Sequence, residues 1–503
     1  MTTTATRRGR DTAVHPDAHR VTLAAVLLGS LIGPMLMSGT AVALPSIAAD
    51  LNASGGAVQW VVTGYFLSAA CSMLVAGSLA DRFGRRRVLR VGAAIYVIGT
   101  AAVAAAPNIW MLNLARTASG IGAAGIMVAG GALLAATFDG PARTRAFAAV
   151  GSTAGVGLAI GPTVAGLLVG GMGWRATFLV FAVLGSLILA GAAVVAESRS
   201  DSPTGMDHAG LVTLVGGLGL ILLAVTQVSE AAGASPRVLG QLGLGAALLV
   251  AFVAIERRAQ SPLLDLDLLR DRHFVAWCLA SGLLALGSTT VLVSLPTYLQ
   301  GVNGLAPGRA GAVMLMLTVP VMAVPALGAR LVNRGVSPRL LITAALVALA
   351  LGNAWLLVLH PGISTAELVG PLVAIGAGNG LAIGIIDAQA MALVPPDRVG
   401  MAAGLLNTVR GASNAVLLAL FGAAMATMLR TRIGDGPLAS RVLSGELDGP
   451  DIDFLSDALT QAWRSALLVI ALLCTAAAAT VAALLRPATV VSPLSASIKE
   501  NRS

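Results

Sequence analysis

Apolar positions in this chain come in long unbroken runs rather than in alternation. Runs of about 18 to 25 residues suffice to cross a bilayer core about 30 Å thick. Fourteen of them follow one another with short polar breaks. Six come first: Val21 to Pro45, Ala57 to Ala80, Val88 to Ala106, Ile109 to Phe138, Arg145 to Gly170 and Ala176 to Ala196. Two more, Ala209 to Val228 and Val238 to Ile255, precede a charged, partly amphipathic stretch from Glu256 to His273 that suits a membrane interface. The last six are Phe274 to Pro296, Arg309 to Ala329, Arg339 to Leu359, Leu368 to Val394, Gly400 to Met428 and Trp463 to Leu485. An even number of crossings puts both ends of the chain on one side.

Charge placement orients the runs. Arginines crowd alternate breaks: Arg82, Arg85, Arg86, Arg87 and Arg90 after the second run, Arg257 and Arg258 after the eighth, and Arg330, Arg334 and Arg339 around the tenth. The other breaks receive only a few, such as Arg175, Arg237 and Arg309. The bias is about three to one, and basic residues mark the cytoplasmic side of a membrane protein. Both termini and the loops rich in arginine are therefore expected inside.

Composition agrees with this picture. Of 503 residues, 56% are apolar and 11% charged, and the mean hydropathy is +0.86. The net charge of +9 then reports membrane orientation rather than nucleic-acid binding. Cys71, Cys278 and Cys474 lie singly in apolar runs, and the five histidines fall in tails or at run edges. No spacing suits a metal, a haem or a nucleophilic catalytic group. The polar, basic start (Thr2 to Arg20) precedes a first run of full span length, so a cytoplasmic tail and a retained helix are expected rather than a cleaved signal.

The segment Gly77-Ser78-Leu79-Ala80-Asp81-Arg82-Phe83-Gly84-Arg85-Arg86-Arg87 carries too much charge to lie in lipid and makes a short turn joining antiparallel helices. A weaker echo, Ala329-Arg330-Leu331-Val332-Asn333-Arg334, follows the tenth run, with Asn333 in the place of Asp81. Two six-helix halves with an inserted pair account for the repeat. The domains expected are a cytoplasmic tail (1–20), an N-terminal bundle (21–196), the inserted helices with their linker (197–273), a C-terminal bundle (274–485) with a long external loop (429–461), and a second cytoplasmic tail (486–503).

The first of these segments resembles the G-x-L-a-D-R-x-G-R-R signature of the major facilitator superfamily, carried here by Gly77, Asp81, Arg82, Gly84 and Arg85. The fifth run carries Gly157, Gly161, Pro162 and Gly166, which resemble that superfamily's antiporter motif G-x-x-x-G-P-x-x-G-G, with Ala165 in place of the first paired glycine. Arg116-Thr117-Ala118-Ser119-Gly120-Ile121-Gly122 is similar to R-x-x-Q-G-x-G, with Ser119 where glutamine is usual. The end of the first run is similar to the L-D-x-T-V-V-N-V-A-L-P signature of the fourteen-helix drug:proton antiporters, but Leu36 occupies the aspartate position. The resemblance implies an all-α polytopic membrane protein of the major facilitator fold, two six-helix bundles plus two inserted helices, working by alternating access. It also implies that Asp81 accepts hydrogen bonds from the start of the thirteenth helix, near Val399 to Ala402, where the helix dipole favours an anion. The missing acid at Leu36 removes the usual proton site and the usual counter-charge for polycationic drugs.

Three ionisable residues lie deep in the runs. An arginine at the depth of Arg116 costs at least about 2.5 to 3.5 kcal/mol on insertion scales, so it should meet a cavity or a polar partner. Asp387 and Arg410 lie at similar depths, about 10 to 15 Å from the inner ends at 1.5 Å per residue. They can form an ion pair, and two readings stay open for it: a proton carrier, or a lock within the second half. Ser38, Tyr65, Met127, Tyr298, Asn353, Asn379 and Asn407 are candidate cavity residues, chosen for polar or soft side chains on core helices. Expected overall is a monomeric exporter of amphipathic or hydrophobic small molecules in a bacterial cell membrane. It would exchange them for protons and need no cofactor beyond the proton gradient. The alternative is an exporter of one endogenous metabolite or lipid-like product on the same fold.

Overall fold

The computed structural model describes residues 16–138, 140–195, 197, 208–230, 235–259, 270–394, 399–434, 436–447 and 451–485. The described residues form helices and no strand. In order they are α1 (Pro16–Leu51), α2 (Gly56–Phe83), α3 (Arg85–Ala104), α4 (Ile109–Thr137), α5 (Gly140–Val194), α6 (His208–Glu230), α7 (Pro236–Glu256) and α8 (Arg272–Gly301). There follow α9 (Pro307–Val313), α10 (Leu315–Asn333), α11 (Pro338–Trp355), α12 (Thr365–Ala392), α13 (Val399–Ile433), α14 (Gly436–Leu443) and α15 (Ile452–Leu484). Among the described residues, eleven helices are long and apolar enough to cross a membrane. Residues 1–15 of the first expected tail, the second expected tail, and residues 260–269 of the expected interfacial linker lie outside the described residues, and α1 begins within the first expected tail, at Pro16.

Local chemistry sets many helix starts. Asn108, Ser235, Asp271 and Ser337 each accept a backbone N–H of the following turn, and a proline opens α7 and α11, where its missing N–H costs nothing. Ser364 and Glu367 form a reciprocal capping box at α12. The Ser364 hydroxyl and amide hold the Glu367 carboxyl below its ordinary value. The Pro361 carbonyl, then Glu367, hold the His360 imidazole above its own. This exposed corner therefore loosens as pH falls through the Glu367 value or rises through the His360 value.

Among the described residues two large hydrophobic cores form, beside a small cluster of Val26, Leu134 and Ala146. One is built mainly from α1 to α5, and the other from α6 to α15. In the first, α1 packs chiefly on α5, and α2 and α3 on α4. In the second, α12 receives α10 and α11, and α11 also meets α15. The two halves meet along α2 with α13, α5 with α9 and α10, and α1 with α8. The pair α6 and α7 leans on that seam through α6, which touches both α2 and α13.

Several helices outrun the expected apolar runs, because a helix does not stop where the lipid does. α1 continues six residues past Pro45 to Leu51, where Asp50 receives Arg175 Nη2 at 2.8 Å and Trp174 Nε1 at 3.2 Å. The expected external loop 429–461 is corrected. α13 runs on to Ile433, α14 occupies Gly436–Leu443, and α15 begins at Ile452, eleven residues before Trp463. α5 bends at Gly173, whose φ of 82° suits only glycine without strain.

Gly84 shows why the arginine turn is built as it is. It ends α2 and starts α3 at φ 105°, and its N–H bonds Ala80 O at 3.1 Å. A Cβ there would collide with the Glu197 carboxylate. That carboxylate accepts from Arg86 N at 3.1 Å and lies 3.9 Å from Arg87 Nε. Gly84→Ala should therefore destabilise the protein by about 1 to 3 kcal/mol through the left-handed backbone alone. A thermal melt of the purified protein would check this, and an unchanged midpoint would contradict it.

Candidate functional site

A polar cluster joining α8, α12 and α13 sits where these helices converge. Arg410 Nη2 on α13 donates to Asp387 Oδ1 on α12 at 2.5 Å. Its Nε donates to Ser281 Oγ on α8 at 3.1 Å, and its Nη1 to Asn407 Oδ1 at 3.3 Å. The Arg410 and Asp387 side chains are 26% and 45% exposed, so the pair is not sealed in the core. Partial exposure lowers the desolvation cost of the pair. One helical turn further along α13, Thr289 Oγ1 donates to Asn414 Oδ1 at 2.8 Å, which extends the polar strip.

Arg116 is different. It is 0% exposed, and its Nε donates to Val61 O at 3.0 Å. Its guanidinium lies 4.2 Å from the Tyr65 ring centroid and 5.7 Å from that of Phe178. Among the described residues no hydrogen-bond partner meets its Nη1 or Nη2. Two aromatic faces and one carbonyl hold a charge that costs about 2.5 to 3.5 kcal/mol to place in lipid. Ser119, at the position of the resemblance's glutamine, bonds Ala115 O instead and is not among these partners.

The halves touch closely at the ends opposite the arginine turn. A Cβ on Gly166 would lie 2.5 Å from Pro307 O of α9, and one on Gly311 would collide with Pro162 O. Thr163 Oγ1 donates to Gly311 O at 2.8 Å. On its other face α5 presses on α1: a Cβ on Gly157 would meet Leu31 O, and one on Gly161 would lie 2.5 Å from Met35 O. Small residues here permit backbone-to-backbone contact both within the first half and between halves. Pro162 leaves a carbonyl on the preceding turn without its helical donor, as proline must.

Beside this seal lies a hollow with walls from both halves. Val58, Gln59 and Val62 of α2 face Thr297 and Tyr298 of α8, Phe421 of α13 and Trp463 of α15. Trp463 stands edge-to-face with Tyr298 at 5.6 Å and with Phe421 at 5.3 Å, and the Tyr298 hydroxyl lies 2.8 Å from Thr460 Oγ1. Leu443 of α14 and the adjoining Ser444 also line this cavity.

The candidate cavity residues divide in this conformation. Tyr298 lines the cavity, and Asn407 joins the Arg410 cluster. Ser38, Tyr65 and Asn353 do not line this hollow and make contacts between helices instead. Ser38 donates to Leu158 O between α1 and α5, Tyr65 lies under Arg116, and Asn353 donates to Gly287 O and Leu349 O. Interhelical carbonyls attract polar side chains as strongly as a cavity does, and run position alone cannot separate the two. Asn379 is buried on α12 at 7% exposure, and Met127 is 38% exposed on α4. Leu36 is buried in the first core. The Asp81 side chain, and its expected meeting with the start of α13, lie outside the described residues. Arg82 is exposed. Reasoning from the sequence missed Gln59, Phe421, Trp463, Ser281 and Glu197. A tryptophan and a phenylalanine in apolar runs carry no signal of their own, whereas Glu197, an isolated acid just after an apolar run, was a signal that could have been read.

The Major Facilitator Superfamily family model matches residues 26–418. The chain is 32% identical over 390 residues to the multidrug resistance protein Stp of Mycobacterium tuberculosis, across 77% of this chain and 72% of that one. It is 34% identical over 416 residues to the puromycin resistance protein pur8 of Streptomyces alboniger, across 80% and 82%. It is 31% identical over 446 residues to the probable actinorhodin transporter of Streptomyces coelicolor, across 85% and 76%. Among solved structures, a bacterial homolog of the human lysosomal transporter Spinster, in an inward-facing and unoccupied conformation, shares the fold at a TM-score of 0.63 and 17% identity. That match covers 94% of this chain and 97% of the other.

Proposed function

The chain belongs to the major facilitator superfamily and is a multi-pass protein of the bacterial cell membrane, and from this premise we propose that it exports amphipathic small molecules in exchange for protons. The observation that carries the reading is the Asp387–Arg410 pair, charged, partly exposed, and held between α12 and α13 inside the second half. A carboxylate in that setting is the group proposed to carry the proton as cargo enters and leaves, with Arg410 as its ion-pair partner. The glycine contacts of α5 with α9 supply an outer seal that must part for cargo to leave. Fourteen crossings with both ends cytoplasmic are part of the proposal. They are the eleven apolar helices, α2, α6, and a division of α5 into two crossings at Gly173.

The test is uptake into inverted vesicles with an acidic lumen. Several unrelated dyes should accumulate and compete with one another, and collapse of the pH gradient should abolish accumulation. Relatives named for single compounds, puromycin and actinorhodin, favour the rival reading of an exporter of one product, and transport of one compound alone would establish it. Accumulation that is indifferent to the gradient would exclude proton exchange.

A further inference from the structure

We infer that residues 436–447, α14 and the turn after it, form a lid at the outer mouth that rides on the second half and must lift from the first before cargo leaves. The inference rests on the efflux reading and adds to it the part that covers the exit. Leu438, Ala439, Val442 and Leu443 fall on one face of α14 at helical spacing. Ala439 and Val442 are buried, and with Leu447 they belong to the second core, against which Leu438 and Leu443 also pack. The turn closes on itself: Gly445 N donates to Val442 O at 3.0 Å, Glu446 N to Arg441 O at 3.1 Å, and Arg441 Nε to Glu446 Oε2 at 3.1 Å. A segment tied together in this way moves as one body.

The segment touches both halves. On the second, a Cβ at Gly301 of α8 would lie 2.8 Å from Leu447 Cδ1 and 2.9 Å from Gly445 Cα, and one at Gly445 would lie 3.3 Å from Thr297 O. On the first, a Cβ at Gly445 would lie 3.6 Å from Pro45 Cγ of α1, and one at Gly55, just ahead of α2, 3.4 Å from Ser440 Cβ. One residue before Gly301, Gln300 Nε2 donates to Val42 O of α1 at 3.1 Å, so the segment lies along a seam where the halves are joined. Buried apolar side chains hold it to the second half, whereas contacts at ordinary van der Waals distance hold it to the first. When alternating access parts the halves at this end, the weaker attachment is the one that yields. Gly434, which ends α13 at φ 76° with nothing within 4 Å of its Cβ position, is the pivot. Leu443 and Ser444 wall the hollow opposite Val58 and Gln59, so lifting the segment uncovers that hollow.

The first test bridges the lid to the first half. Ser54→Cys and Ser440→Cys, which line one small hollow between the halves, are joined in the full-length protein by a short bis-methanethiosulfonate. The native cysteines are buried and stay out of the reaction. Dye accumulation in vesicles should be lost on bridging and return on reduction, while each single variant keeps it after the same treatment. Accumulation that survives bridging overturns the inference. The second test asks which half carries the lid, with spin labels at exposed sites on the lid (Pro437→Cys), the first half (Ala105→Cys) and the second half (Ile452→Cys). When Gly166→Val is added, the distance from 437 to 105 should lengthen and that from 437 to 452 should stay the same. A lengthening from 437 to 452, or constancy of both distances while Thr297→Cys gains reactivity from outside, also overturns it. The label distances need no transported dye, and unmodified protein that still accumulates dye would leave the efflux reading standing if the lid fails.

Discussion

Asp387→Asn is expected to abolish gradient-driven accumulation while leaving gradient-free exchange of cargo across the membrane intact. Asparagine keeps the size of the side chain and can still accept from Arg410 Nη2, so the packing of α12 on α13 survives. What disappears is the group that can change charge. Arg410 is left without its counter-ion, but it is 26% exposed and retains Ser281 and Asn407, which limits the stability loss. Proton-driven accumulation should fall at least about tenfold, corresponding to about 1.4 kcal/mol or more of lost coupling. Counterflow of labelled cargo between equal pH compartments separates the two roles the pair could have. A carrier loses accumulation and keeps counterflow, whereas a structural lock loses both together. Accumulation at the unmodified level would show that Asp387 carries no proton.

Gly166→Val should hold the outer seal open. A Cβ at Gly166 would lie 2.5 Å from Pro307 O and 3.3 Å from Gly308 Cα, both backbone atoms with little room to yield. Overpacking of this kind costs about 1 to 3 kcal/mol, and it falls only on the state in which α5 and α9 touch. The balance between outer-closed and outer-open forms then moves by about 5- to 150-fold. Transport should stop, and Thr297→Cys, in the cavity wall, should become reactive to a membrane-impermeant maleimide added outside. Gly171→Val is the matched control, because nothing lies within 4 Å of its Cβ position. If Gly166→Val transports normally, the α5–α9 contact is not the gate.

Much of the architecture was legible without coordinates. A membrane-spanning helix satisfies its own backbone, so run length reports its existence. The motif glycines at 157, 161 and 166 were legible too, because only a residue without a side chain tolerates a neighbour's carbonyl at contact. Their division of labour was not: Gly157 and Gly161 serve α1, and Gly166 serves α9. Arg410 and Asp387 could be matched by depth because each was the rare charge in its run. Ser38 and Asn353 face neighbouring carbonyls rather than this hollow, which the sequence does not reveal because a hydroxyl or amide on a core helix reads the same in either setting. α14 and the long outer ends of α13 and α15 escaped notice because their polar residues resemble a loop when only lipid-compatible stretches are counted.

What the chain determined by itself was the local part: which segments prefer lipid and where charge is too costly to be incidental. These follow from transfer free energies summed over neighbours in sequence. Only the folded bundle decided that Trp463 meets Phe421 and Tyr298, that Gly166 meets Pro307, and that Arg116 has aromatic faces instead of an acid. Those contacts join residues far apart in sequence. They depend on how helices pack against one another, a competition among many near-equal apolar surfaces that no single segment records.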